Sequence, residues 1–131
     1  MSDLVETRLV VPAEPAYLTV CRAALTGVLA GTRAGDEVVD ELKLVLSEVC
    51  ASAVGHAGEP GPGEIEIQFR TSPTTVEITV RDRSGRLAEP DSGSIEGQVE
   101  LATLRELTSG WAAGRLDGAP GTAVTFSRRI G

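Results

Sequence analysis

LKLVLSEVCASAVGHAG, residues 42–58, is the stretch on which the reading of the fold turns. Leu42, Leu46, Val49 and Ala53 recur at helical spacing, so this is an amphipathic helix with one apolar face turned to a core. Upstream, Val38 joins the same stripe and Asp36, after Gly35, supplies an N-cap. The helix is predicted to run to about Ala57, because Gly58-Glu59-Pro60-Gly61-Pro62-Gly63 cannot continue it. Along its flank stand an acid, a small hydroxyl and the chain's only histidine at steps of four: Glu48, Ser52 and His56. They form a stripe at the edge of the buried face, where a half-desolvated carboxylate suits general-base work. Polar edge stripes are also the ordinary flank of a core helix, so the wheel alone leaves both readings open.

The rest of the chain supplies partners for that helix. Thr7–Val11 reads as a short strand ended by Pro12. From Ala16, the positions Tyr17, Leu18, Cys21, Ala24, Leu25, Val28 and Leu29 keep the 3.6 period of a first helix, with Gly31 as its C-cap. Ile65, Ile67 and Phe69, then Val76, Ile78 and Val80, alternate as two strands, and the short link 71–75 makes them a hairpin. Residues 83–98, rich in Gly, Ser, Pro and acid, read as a loop. A third helix is predicted over roughly Val99–Thr108, stopping at Gly110, and Trp111–Leu116 with Thr122–Arg128 form a last hairpin. The order β-α-α-β-β-α-β-β predicts an α+β two-layer sandwich. Its mixed or antiparallel sheet is covered on one face by three helices, in a single domain over residues 1–131.

Composition narrows the function. With aromatics at 3%, the core is built from Leu, Val, Ile and Ala. A net charge of −7 without a basic stripe argues against direct nucleic-acid binding and is compatible with a basic protein partner. The apolar runs are too short for a bilayer and the N-terminus lacks the pattern of a secretory signal, which predicts a cytoplasmic protein with no membrane contact. Cys21 and Cys50 fall on apolar helix faces and read as small core residues; with one histidine, no metal site is expected from the residues. In phase with Val76, Ile78 and Val80 comes Asp82, an aspartate aimed at the helix-covered side just as its strand ends. Buried acids need partners or a ligand, and capping of the following turn is the equal alternative.

Four segments, LKLVLSEVCASAVGHAG, ITVRDRSG, GQVELATLRELTSGW and GTAVTF, occur in an order and spacing that resemble the boxes of the GHKL ATPase fold. More narrowly they resemble anti-sigma factor kinases of the RsbW type. The resemblance implies that Glu48 is the base activating a partner's serine, that Ser52 stands where an asparagine holds magnesium, and that Asp82 reads the adenine amino group. It further implies that Gly85 belongs to the glycine turn after that strand, that Gly97 belongs to the phosphate turn, and that Gly121 and Thr122 open the closing strand. Counting back from Glu48, the family's partner-contacting arginine falls on Arg22; a solvated helix charge is the plainer reading of that residue.

This sequence departs from the pattern at Ser52, at Ser84 and Arg86 around the strand-end turn, and at Val99 in the phosphate turn. A serine oxygen reaches one bond less far than an asparagine amide, and a Cβ impedes close approach of backbone to nucleotide. Glu96 and Glu100 bracket the third helix's start and oppose a triphosphate, while Arg81, Arg83 and Arg86 offset part of that repulsion. These departures predict a vestigial nucleotide site, with ATP and magnesium bound weakly or not at all. The expectation is then an anti-sigma factor, commonly a homodimer, that sequesters a sigma factor and is released by a STAS-domain antagonist. The alternatives are an active protein serine kinase acting on that antagonist, and an adaptor that binds only the STAS partner.

Overall fold

The computed structural model describes residues 4–54, 63–82, 93, 95–115 and 121–130; His56 and Gly85 lie outside them. In chain order the elements are β1 (Val5–Pro12), a 3-10 turn (Pro15–Tyr17), α1 (Leu18–Leu29), α2 (Asp36–Ala53), β2 (Glu64–Ser72), β3 (Thr75–Asp82), α3 (Ile95–Leu107), β4 (Gly110–Arg115) and β5 (Thr122–Arg129). All five strands pair antiparallel, in the order β1-β2-β3-β5-β4. The α+β sandwich is therefore as anticipated, with the sheet antiparallel throughout.

Register explains which face is dry. One cross-strand row carries Leu9, Ile67, Val80, Val124 and Ala113, and the next carries Thr7, Phe69, Ile78, Phe126 and Trp111. Ile67, Phe69, Ile78, Val80 and Val124 are fully buried, and Trp111 packs half-buried at the core edge. Against this face α2 lays Leu42, Val45, Leu46, Val49, Cys50 and Ala53, and α1 adds Cys21, Leu25 and Leu29. The opposite face is wet. Arg8 pairs with Glu66 at 2.5 Å, Arg70 with Glu6 at 3.0 Å, and Arg81 reaches Glu66 at 3.3 Å and Gln68 at 3.1 Å. Such exposed pairs add little stability each, but they keep that face polar.

Helix ends differ in detail from the sequence reading. Gly35, not Asp36, is the N-cap of α2; Asp36 and Glu37 instead lie in its first turn, where acids favour the helix dipole. Ala30, not Gly31, is the C-cap of α1. Among the described residues only Gly121 has positive φ, so Gly31 makes no left-handed cap. The amide and hydroxyl of Thr32 both donate to the Leu29 carbonyl, at 3.0 and 2.7 Å, and satisfy the helix end without one. The third helix starts at Ile95 rather than Val99. Its first turns were hard to read because Ile95 is 77% exposed and Val99 44% exposed; apolar burial resumes only at Leu101 and Leu104. Arg128 ties the layers together, donating to Glu41 at 2.6 Å and to the Leu107 carbonyl at 2.7 Å.

Leu46 is 0% exposed at the centre of the α2 stripe. Leu46→Ala is expected to lower unfolding free energy by about 2–5 kcal/mol. Urea unfolding of the variant measures this, and a loss under about 1 kcal/mol would mean that α2 does not organise the core.

Candidate functional site

The candidate site is built from two pairs of residues, one on a helix and one on the sheet. Glu48 and Ser52 sit one turn apart on α2, both half-buried, because the stripe that buries Val45 and Val49 leaves the next positions round the helix at its rim. The Ser52 hydroxyl donates back to the Glu48 carbonyl at 3.3 Å. Its lone pairs remain available, so Ser52 and the Glu48 carboxylate are oxygen donors of the hard kind that magnesium takes. On the sheet, Asp82 ends β3 opposite Ile65 on one side and Thr122 on the other. Asp82 is 0% exposed, and Thr122 is buried beside it. The alternation that buries Val76, Ile78 and Val80 carries Asp82 inward, as the two-residue period anticipated.

The third helix, α3, packs against α2. Gly97 is the third residue of that helix and lies in its first turn, rather than in a turn ahead of it. The N-terminal end of a helix favours anions in general. Glu100, one turn further on, is 3% exposed. Its burial was not anticipated; the only signal was its spacing of four from Leu104, on the face that turns inward. Arg81 does not serve this site as the sequence reading supposed. Neighbouring residues along a strand point to opposite faces, so Arg81 stands on the wet face, held by Glu66 and Gln68. Arg83 and Arg86 lie outside the described residues.

Gly121 has φ 123°, a backbone conformation in which a Cβ is strained, and it delivers the chain into β5 so that Thr122 meets Asp82. Arg22 stands on the α1–α2 seam. It is half-buried, and its Nη1 donates to Ser47 Oγ at 3.1 Å, so it is neither a freely solvated charge nor a core residue. Ser47 was not singled out in the sequence.

A profile of the histidine kinase-like ATPase domain matches residues 11–121. The serine-protein kinase RsbW of Oceanobacillus iheyensis is 36% identical over 109 residues, 79% of this chain and 68% of the relative. That of Bacillus pumilus is 36% identical over 86 residues, and that of Bacillus subtilis 34% over 82. The aligned region spans about half of each of these two, at 52% and 50% of their lengths. The solved structure of the RsbU and RsbW domains of a Mycobacterium tuberculosis protein superposes with TM-score 0.70 at 22% identity, over 96% of this chain and 32% of that one, and shares the fold. The chain belongs to the histidine kinase-like ATPase domain family, and within it to the RsbW type. Among the described residues, no helix is long and apolar enough to cross a membrane.

Because Gly121 is held at positive φ, Gly121→Ala is expected to cost about 1–3 kcal/mol. Denaturant unfolding checks the value; an unchanged midpoint would show that the entry to β5 does not need glycine.

Proposed function

We propose that this chain is a cytoplasmic RsbW-type anti-sigma factor and protein serine kinase, which holds a sigma factor and phosphorylates the STAS-domain antagonist that competes for it. The observation that carries the catalytic half is the placement of Asp82, wholly buried at the end of β3 beside Thr122, at the adenine-reading position of the resembled pattern. Asp82 accepts a hydrogen bond from the adenine amino group, and the first turn of α3 around Gly97 receives phosphate. Glu48 takes the proton from the antagonist's serine hydroxyl as its oxygen bonds to the γ-phosphorus and ADP departs. Ser52 is the residue that would hold magnesium, which neutralises phosphate charge when bound.

Sigma capture uses the α1–α2 seam, with Arg22 presented by Ser47. The acidic balance of the chain favours encounter with a basic partner. The protein acts as a homodimer, with β1 and α1 as the candidate faces.

A second reading keeps the binding and drops the chemistry. It is favoured by Ser52, whose hydroxyl proton is engaged by the Glu48 carbonyl and whose reach is one bond shorter than the amide of the family pattern. It is favoured too by Glu100, a buried carboxyl in the second turn of α3, near the helix end that would receive phosphate.

Calorimetry with Mg-ATP and a phosphotransfer assay with the antagonist separate the two. The kinase reading expects nucleotide binding, with Glu48→Gln lowering transfer by about 10²-fold or more while binding persists. Absence of both binding and transfer in the wild-type protein leaves the binding-only regulator. Independently, Arg22→Glu is expected to weaken partner capture by about tenfold or more, near 1.4 kcal/mol, in a pull-down titration. Full-strength capture by that variant would remove Arg22 from the interface.

A further inference from the structure

β4 ends the sheet on the side away from β1, and among the described residues nothing pairs with its outer edge. Sheets usually blunt such an edge with charge, proline or a bulge. β4 reads Gly110-Trp111-Ala112-Ala113-Gly114-Arg115, with no charge before its last residue, no proline, and an unbroken register against β5. Its positions on the open face of the sheet are Gly110, Ala112 and Gly114, opposite Ser127, Thr125 and Ala123. Glycine weakens a strand, and the fold itself needs neither of these two. Neither has positive φ; a Cβ on Gly114 would meet nothing within 4 Å, and one on Gly110 only Ser127 Oγ at 4.0 Å. Strand glycines without such an internal cause mark a place where another backbone comes close.

We infer that the free edge of β4 is an interaction surface for a second copy of this chain, the two strands pairing antiparallel about a two-fold axis at Ala112 so that the sheets join edge to edge. The strand names its own occupant. Residues opposed across an antiparallel pair share a face, so the axis relating two identical strands passes through a residue and not between two. An axis at Trp111 draws Ser109 into the pairing, and an axis at Ala113 sets Trp111 against Arg115. An axis at Ala112 keeps the uncharged run Gly110–Gly114 paired within itself. Gly110 then meets Gly114 and Ala112 meets its own copy on the open face, while Trp111 meets Ala113 on the helix side. The large side chain faces a small one, and no charge faces its like. A foreign strand would not require β4 to be complementary to itself. Elsewhere the net charge of −7 holds copies apart, and this run has no charge to do so. A strand pair of this length buries less surface than a permanent dimer needs, so the association is reversible. It is separate from the β1 and α1 faces proposed for the homodimer and rests neither on them nor on the kinase reading; a chain using both faces would grow beyond two copies.

The test follows the mass of the whole chain against concentration by sedimentation equilibrium. Ala112 is exposed, so Ala112→Lys and Ala112→Glu each set like charges on the axis without disturbing the core. Each variant alone is expected to raise the Kd of association by about tenfold or more, and an equimolar mixture to restore it, because opposite charges then meet. Crosslinking reads the register. Under mild oxidation Ala112→Cys is expected to link two chains and Gly114→Cys alone to link none, whereas Gly114→Cys mixed with Gly110→Cys links. The wild-type chain, whose Cys21 and Cys50 are buried, is the blank. The inference is overturned by a wild-type mass that does not rise with concentration, by charged variants that associate as the wild type does, or by a mixture that fails to restore the pairing. A Gly114→Cys chain that links to itself as readily as Ala112→Cys overturns it as well.

Discussion

The packing of one helix face against one sheet face determines where nearly everything else in this protein can be. Leu42, Val45, Leu46, Val49, Cys50 and Ala53 of α2 are buried over strands β2, β3 and β5. Because a helix presents only part of its circumference to a sheet, that choice leaves its two flanks to meet other helices. One flank takes α1, through the Arg22–Ser47 bond, and the other meets α3 and the Arg128–Glu41 pair. Rotating α2 by one residue would take Glu48, Ser52, Ser47 and Cys50 out of their present settings together. Stability and function therefore share a single constraint.

That shared constraint links two regions with different chemistry. The α3 side is acidic and hydroxyl-bearing, with Glu48, Ser52, Asp82, Glu100 and Thr122, and it belongs to a family whose name joins it to ATP. The α1 side carries the half-buried Arg22 and the two thiols. A change in how α1 sits on α2 is transmitted through a helix that also carries the candidate base. Packed interiors resist continuous deformation, so such a shift would be felt on both flanks.

The open face of the sheet has a different part. Its ion pairs around Glu66 and Arg70 and the Thr79–Thr125 hydrogen bond of 3.0 Å run across the strands on the face away from the helices. They account for Arg81, which sequence proximity to Asp82 had drawn into the nucleotide site. A strand puts neighbouring residues on opposite faces, so adjacency in sequence there means separation in space.

What the chain determined by itself was periodicity and its consequences: three helices, five strands, the α+β layering, the inward turn of Asp82, and the rim position of Glu48 and Ser52. These follow from spacings of 2 and 3.6, which are local and need no partner. The four ordered segments also carried the family, which the profile over residues 11–121 and the RsbW relatives then established. Tertiary structure alone decided the rest. It began α3 at Ile95, buried Glu100 and seated Arg22 on Ser47. Each of these depends on which residue from a distant part of the chain fills the space opposite, and no periodic pattern in one segment encodes its neighbour in another.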